Sequence, residues 1–235
     1  MTQDVKLALI DNSIDPNSYP PCAHWGEFLS VPFDSFRARD GRLPDLGDGY
    51  THLILTGSEA SILERDDWVR DEAALVQDAE RRGLCLLGSC WGHQLLAFAL
   101  AGPSSVGRCC RPEIGWIEVR IRTESSMLGP PGTAWTFSSH FDEVVGLPAH
   151  FRILAETSDC KIQAFEITGR PVWGFQIHPE ISVERGRELL RNFADRSPVR
   201  RTLFEAGLKG EPRDSGLIKR ITAVFMATRP LGRTA

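Results

Sequence analysis

The residues with the clearest chemical potential form a pentapeptide, Gly88-Ser89-Cys90-Trp91-Gly92, in which a cysteine stands between two glycines. An apolar run ends there, and an Ala/Leu-rich run follows directly. The G-x-nucleophile-x-G form is typical of a strained turn from a strand into a helix, where glycines allow tight backbone contacts. Free N–H groups at a helix start favour the reactive thiolate. The pentapeptide therefore predicts a nucleophile at Cys90. The same sequence pattern is also compatible with a structural cysteine at a tight turn.

A base and an orienting acid for such a thiol are offered by His178 and Glu180 in "GFQIHPE". In an extended chain, residues two apart point to the same side, so the carboxylate could hold the imidazole in the tautomer that accepts the thiol proton. Pro179 lacks an N–H and marks where strand pairing stops. Alone, these residues are equally typical of a surface turn. Their position at a strand end downstream of the cysteine favours the catalytic interpretation.

A third segment, "LILTGSEAS", ends a predicted strand at Thr56-Gly57-Ser58 and continues as a loop with exposed backbone N–H groups. An acyl-transfer site needs two donors aimed at the developing oxyanion, and backbone amides serve because they are already fixed. We assign one donor to the N–H of Ser58 and the other to the N–H of Trp91. A plain turn from strand to loop is the alternative interpretation of this segment.

The elements that would position these residues alternate along the chain. Short apolar runs predict buried strands, at 5–11, 52–57, 84–89 and 172–178. Helical spacing predicts a helix that begins near Asp66 or Asp67 and stops at Gly83. Between 113 and 167 the runs are strand-like, which favours an antiparallel extension. We therefore predict an α/β fold: an open, mostly parallel sheet flanked by helices, with its site at the carboxyl ends of the strands.

The composition of the 235-residue chain narrows the classes of function. It is 42% hydrophobic and 25% charged, which is typical of a globular protein with a full core. The net charge of −4 gives no sign of nucleic-acid binding. Without a membrane-length apolar run or a signal-peptide pattern, the sequence predicts a cytoplasmic protein. The six cysteines show neither a disulfide framework nor a CxxC metal motif, so we expect reduced thiols, no metal and no cofactor.

The segment 198–235 carries eight Lys and Arg against three Asp and Glu. It contains a predicted helix with one apolar side, formed by Leu217, Ile218, Ile221, Val224 and Phe225. We predict a domain over 1–197 followed by a basic helical extension over 198–235. The basic side chains would either form a solvated edge or dock an acidic partner, through Arg200, Arg201, Lys219 and Arg220.

Together these stretches resemble the class I, triad-type glutamine amidotransferases, particularly free-standing domains similar to the glutaminase part of GMP synthase. The matching segments cover about residues 5–195 in the family's order: "LILTGSEASI", "LLGSCWGHQLLA", "EIGWIEV", "SSHFDEVVGLP" and "GFQIHPE". The combination of G-x-C-x-G-x-Q with a downstream H-P-E is specific. The resemblance implies a flavodoxin-like sheet with an antiparallel strand extension.

The resemblance also implies roles for individual residues. It makes Cys90 the nucleophile, His178 the base and Glu180 the orienter. It implies a substrate site formed by Gly57, Gln94, Ser139 and His140. The Ser139–His140 segment of this site is expected to be a loop. Many members have Gly-Gly where this chain has Gly57-Ser58, which leaves open how the oxyanion hole is set.

Three functions follow as alternatives. The first is a glutaminase that passes ammonia to a separate, ATP-dependent synthetase. The second is a hydrolase or transferase that acts on γ-glutamyl peptides or conjugates with the same triad. The third is a non-catalytic binding module, against which the intact Cys90, His178 and Glu180 argue. We expect glutamine or another γ-glutamyl compound as the substrate, and neither nucleic acid nor a membrane as a partner.

Overall fold

The computed structural model describes residues 5–232, so residues 1–4 of the predicted domain and 233–235 of the predicted extension lie outside the described residues. Nine strands form a single sheet within the described range. They are β1 (Leu7–Asp11), β2 (Phe33–Arg37), β3 (His52–Leu55), β4 (Cys85–Ser89), β5 (Val106–Ile121), β6 (Gly132–Val144), β7 (Phe151–Glu156), β8 (Ala164–Ile167) and β9 (Val172–Phe175).

The sheet has a parallel half and an antiparallel half, in the strand order β2-β1-β3-β4-β9-β8-β7-β5-β6. The pairs β2·β1, β1·β3, β3·β4 and β4·β9 are parallel. From β9 onwards every pair is antiparallel. The predicted α/β fold with an antiparallel extension is therefore confirmed, and β9 joins the two halves.

Six α-helices flank the sheet within the described residues. They are α1 (Pro21–Gly26), α2 (Asp67–Arg81), α3 (Trp91–Ala101), α4 (Val183–Arg196), α5 (Arg201–Lys209) and α6 (Leu217–Ala227). No helix of residues 5–232 has the length and apolar character needed to cross a membrane.

The inner parallel strands β1, β3 and β4 are buried on both faces, which explains their continuous apolar runs, whereas β2 at the edge of the sheet is partly exposed. Along β1, Ala8 and Ile10 pack with α2 and α3 in one core cluster. Leu7 and Leu9 point to the opposite cluster, which contains α1 and α6. The helices therefore form a layer on each side of the sheet.

Helix α2 lies within one or two residues of its predicted bounds, and Gly83 follows it with a φ of +74°. Its apolar residues Val69, Ala73 and Val76 are buried against the sheet, as their spacing predicts. Glu72 lies on the same buried face, which the apolar pattern did not predict.

The two helices after residue 197 lie on opposite faces of β5. Helix α5 belongs to the cluster that contains Trp116, whereas α6 belongs to the cluster that contains Val119. Because these two β5 residues are three apart, they point to opposite sides of the strand. The basic residues proposed from sequence as one docking surface are therefore divided, with Arg200 and Arg201 on the α5 side and Lys219 and Arg220 on α6.

Candidate active site

Cys90 lies at a strained turn between β4 and α3. It has a φ of +50° and a ψ of −105°, a backbone conformation that side chains other than glycine rarely adopt. A Cβ on Gly88 would stand 2.4 Å from the carbonyl oxygen of Gly92, and a Cβ on Gly92 would stand 2.2 Å from that of Leu55. Both glycines are therefore required by close backbone contacts, as the pentapeptide predicts.

The thiol of Cys90 is buried and lies among polar groups from β6 and from the residue that follows β9. Its Sγ is 3.6 Å from Nε2 of Gln176 and 3.8 Å from the carbonyl oxygen of Ser139. The amide of Cys90 donates to the carbonyl of Phe175 at 2.7 Å. The sulfur is thereby held at the carboxyl ends of β4 and β9, where parallel sheets place their ligands.

His178 and Glu180 meet beside this thiol. Nδ1 of His178 is 2.8 Å from Oε1 of Glu180, and both side chains are buried. The His178 amide donates to the carbonyl of Phe137 at 2.9 Å, which attaches this turn to β6. Burial alone would lower the pKa of His178, but the negative charges of Cys90 and Glu180 outweigh it and raise that pKa to about 10. The site therefore favours an imidazolium beside the Cys90 sulfur.

Two hydroxyl groups anchor the carboxylate of Glu180. Oγ of Ser89 lies 3.1 Å from Oε2 and 3.2 Å from Oε1, and the phenol of Tyr19 lies 3.4 Å from Oε1. Burial raises the pKa of Tyr19 well above its usual value, with the charge of Glu180 adding to the effect, so the phenol stays protonated and can donate. The Tyr19 ring also packs edge-on against His178, with ring centroids 5.9 Å apart.

The predicted oxyanion donors both line the cleft that contains Cys90. Within the described residues, the amides of Ser58 and Trp91 donate no hydrogen bond to another protein group, whereas the neighbouring Gly92 amide donates to Thr56. A Cβ on Gly57 would stand 2.6 Å from Cε1 of His178, so this loop passes close to the imidazole. Two unused amides on the cleft wall are suited to an oxyanion, and that role stays a prediction.

Of the predicted substrate residues, Gln94, Ser139 and His140 lie in the wall of the same cleft, and Gly57 directly precedes the lining residue Ser58. The Gln94 amide donates to the carbonyl of Asp142 at 2.7 Å. Ser139 and His140 were expected in a loop, and this was wrong: both lie in β6, because pairing with β5 continues through Val144. The imidazole of His140 contacts Glu113 instead of standing free.

The cleft continues beyond the thiol to the start of α5. Its volume is about 270 Å³. The extended part is lined by Phe141, Phe193, Arg200 and Phe204, and the guanidinium of Arg200 stacks on the Phe141 ring at 3.9 Å from its centroid. The site therefore offers room and a cation beyond the position of the triad.

Sequence reasoning did not find Tyr19, Ser89, Asp142 or Gln176, which hold the side chains of the site. Ser89 had a signal, since it precedes the nucleophile inside the glycine-flanked pentapeptide. Gln176 had a weaker one, since it lies two residues before His178 in a strand-like run. Tyr19 lies in a loop without a recognisable motif.

Comparison with known proteins supports the resemblance seen in the sequence. Residues 42–196 match the family model described as Glutamine amidotransferase class-I. The glutamine-hydrolyzing GMP synthase subunit of Pyrococcus abyssi is 36% identical over 122 residues, which are 51% of this chain and 64% of that protein. The corresponding subunit from Saccharolobus solfataricus is 39% identical over 143 residues, which are 60% of this chain and 73% of that protein. The match to the Pyrococcus protein thus spans less than two thirds of its length.

Solved structures share the fold over nearly the whole chain. A glutamine amidotransferase from Methylobacillus flagellatus has a TM-score of 0.76 at 21% identity, covering 99% of each chain. A glutamine amidotransferase from Thermotoga maritima has a TM-score of 0.72 at 19% identity, covering 96% of this chain and 94% of that one. At these identities the likeness concerns the fold, and it includes the region of α5 and α6.

Proposed function

This chain belongs to the class I glutamine amidotransferase family, and we propose that it hydrolyses the side-chain amide of glutamine through a γ-glutamyl thioester on Cys90. The main support is the arrangement at the end of β4 and β9, where a thiol on a strained turn lies beside an imidazole that a buried carboxylate holds. A nucleophile, a base and an orienting acid in this relation are the parts of a cysteine triad.

The proposed reaction starts when the Cys90 thiolate attacks the side-chain carbonyl carbon of glutamine. The oxyanion that forms accepts hydrogen bonds from the amides of Ser58 and Trp91. His178 gives its proton to the leaving nitrogen, so ammonia departs and the thioester remains. His178 then takes a proton from water, and the resulting hydroxide attacks the thioester and releases glutamate and the Cys90 thiolate. No step requires a metal or an organic cofactor.

We further propose that the ammonia passes to a separate synthetase. The support comes from the relatives whose names describe a glutamine-hydrolyzing part of GMP synthase, and from a longer GMP synthase of Caldicellulosiruptor saccharolyticus, of which this chain matches 30% at 33% identity. The acceptor of the ammonia and the ATP dependence of the partner stay predictions, as does the cytoplasmic location.

Ammonia release from glutamine tests the proposed activity directly. The purified chain should release ammonia and glutamate in equal amounts, and Cys90→Ala should abolish the reaction. Cys110→Ala is the matched control, because Cys110 is an exposed thiol outside the triad. Equal rates in the wild type and in Cys90→Ala, measured on enzyme of equal purity, would contradict the proposal.

A γ-glutamyl peptide or conjugate is the second candidate substrate, and the length of the cleft favours it. The part lined by Phe141, Arg200 and Phe204 could hold a group attached to the γ-amide nitrogen, with the guanidinium contacting an anion. Comparing kcat/KM for glutamine and for γ-glutamyl dipeptides distinguishes the candidates. If dipeptides are the substrates, Arg200→Ala should raise the KM for dipeptides and leave the KM for glutamine unchanged.

A further inference from the structure

Behind the cleft wall, three side chains with metal-binding chemistry converge from separate segments. They are Glu113 of β5, His140 of β6 and Cys160 of the loop between β7 and β8. Their ligand atoms all lie within 4.8 Å of one another. An irregularity in the β5·β6 pairing between Arg108 and Glu113 sets the register in which Glu113 stands opposite His140.

The ring of His140 is held between a backbone carbonyl and the carboxylate of Glu113. Its Nδ1 lies 3.1 Å from the carbonyl oxygen of Asp142, and its Nε2 lies 2.9 Å from Oε2 of Glu113. Both partners are acceptors, and a neutral imidazole has a single N–H. Sγ of Cys109 also lies 3.8 Å from Nδ1, so in the absence of a metal Nε2–H can donate to Glu113. With Nδ1–H donated to the carbonyl of Asp142 instead, Nε2 is available to bind a metal ion beside the carboxylate oxygen.

The surroundings hold the other two ligands in place. Thr157 donates its hydroxyl to Oε1 of Glu113 at 2.6 Å, and the Gln163 amide donates to Oε2. The Cys160 amide donates to the Thr157 hydroxyl oxygen at 2.9 Å, and the Thr157 amide donates to the Cys160 carbonyl at 2.8 Å. Hydrogen bonds that orient a carboxylate and a backbone carbonyl that fixes a histidine tautomer are typical of built metal sites.

We propose that Glu113, His140 and Cys160 bind a Zn²⁺ ion. Thiolate, imidazole and carboxylate are all common zinc ligands, and the soft thiolate disfavours Mg²⁺ and Ca²⁺. One thiolate and one carboxylate together balance the charge of the ion. Three bonds form, from the metal to Sγ, Nε2 and a carboxylate oxygen, and the thiol proton leaves to solvent. None of the three ligands belongs to the triad, although His140 also lines the cleft.

The bound ion would join β5, β6 and the loop at 157–163 behind the cleft. Strand β6 supplies the carbonyl of Ser139, next to the Cys90 sulfur, and the carbonyl of Asp142, which holds Gln94. Zinc would therefore stabilise the wall that carries these contacts. Since a metal must displace the proton of a thiol ligand, affinity should rise with pH.

Zinc titration of a Cys90→Ala chain tests the proposal, because that background removes the triad thiol as a competing ligand. After treatment with a chelator, the chain should bind one Zn²⁺ in competition with a chromogenic chelator. Co²⁺ in place of zinc should give a thiolate-to-cobalt charge-transfer band. Adding Cys160→Ser should remove the band, and Glu113→Gln should weaken binding by about 10–100-fold or more. Cys110→Ser, which changes an exposed thiol of β5, should change neither.

Two results would overturn the zinc site. One is the absence of stoichiometric binding in the Cys90→Ala chain, which would leave the His140–Glu113 contact as a hydrogen bond without a metal. The other is an unchanged cobalt band after Cys160→Ser. Near-ultraviolet circular dichroism checks that each variant is folded. If Cys160→Ser is unfolded, the Glu113→Gln affinity and the band of the parent chain decide the question.

Discussion

His178 Nδ1 lies 2.8 Å from Glu180 Oε1, across a single intervening proline. This contact assigns the Nδ1–H to the carboxylate and leaves Nε2 as the nitrogen that can exchange a proton with the Cys90 thiol. The carboxylate also supports a positive charge on the ring. The orientation of the His178 ring and the charge of the Glu180 carboxylate therefore act in the same direction, and substitutions at Glu180 and Ser89 separate their contributions.

Glu180→Gln should keep substrate binding and slow turnover by about 10²–10⁴-fold, because the amide can hold the imidazole without its charge and can select the wrong tautomer. The loss should be smaller than that of His178→Ala, and the two should not add, since the triad acts as a unit. Steady-state ammonia release gives kcat and KM. Glu184→Gln, an exposed residue of α4, is the control. Wild-type turnover in Glu180→Gln would remove Glu180 from the site.

Ser89→Ala should lower kcat by about 10–150-fold with little change in KM, since a hydrogen bond to a buried carboxylate contributes about 1.5–3 kcal/mol. Ser89 is a positioning residue, because its hydroxyl acts on the triad through its contacts with Glu180. The pH profile of kcat should shift in Ser89→Ala if the contact supports the charge on Glu180. The control is Ser105→Ala, another buried serine, away from the triad. Equal losses in the two variants would indicate a general packing effect.

A glutamine-like electrophile should label Cys90 alone among the six cysteines. Burial raises the pKa of Cys22, Cys85 and Cys109 to about 12, which leaves them as unreactive thiols at neutral pH. Peptide mapping by mass spectrometry locates the label, and excess glutamine should protect the site. A label on Cys109 or Cys110 that glutamine prevents would move the nucleophile away from the turn.

Glu72→Gln should stabilise the fold at pH 8 and flatten the pH dependence of stability. Burial raises the pKa of Glu72 to about 8, and within the described residues neither of its carboxylate oxygens has a hydrogen-bond partner. The folded chain therefore retains a proton that the unfolded chain loses above about pH 4.5, so the contribution of Glu72 to stability falls as the pH rises from about 4.5 to 8. The expected difference at pH 8 is roughly a few kcal/mol. Urea unfolding between pH 5 and 9 measures it.

Asp71→Asn is the matched control for Glu72→Gln, because Asp71 is the preceding residue of α2 and is exposed. It removes one carboxylate at the surface and should leave the slope of stability against pH unchanged. If the free energy of unfolding of Glu72→Gln changes with pH as steeply as that of the wild type, the Glu72 carboxyl group is ionised in the folded chain at neutral pH.

The parts of the site that depend on neighbours in sequence could be predicted from the sequence. The turn at Cys90 requires glycines two residues away on each side, and the His178–Glu180 contact spans two residues. The apolar runs of the parallel strands likewise carry their burial in their own composition. In each case the physical constraint acts between residues that are close in sequence, so the sequence pattern indicates it.

Contacts between segments that are distant in sequence produce no local pattern from which they could be predicted. Ser89 meets Glu180 across 91 positions and Tyr19 meets it across 161. His140 was misplaced in a loop because the pairing that extends β6 depends on β5, whose irregular register near Glu113 is set by tertiary packing. The cluster of Glu113, His140 and Cys160 could not be predicted for the same reason, since no CxxC-type spacing accompanies it.

The position of α6 has a consequence for how the chain is made. Its end touches the early strands: Nε2 of His52 lies 3.1 Å from the carbonyl oxygens of both Phe225 and Thr228, 173 and 176 residues later in the chain. During synthesis from the N-terminus, the apolar face formed by Leu9, Ile54 and Leu87 has no α6 to cover it until residues 217–227 have left the ribosome. The nascent chain therefore carries an exposed apolar surface while residues 88–216 are being made, and this side of the core closes only after α6 has emerged.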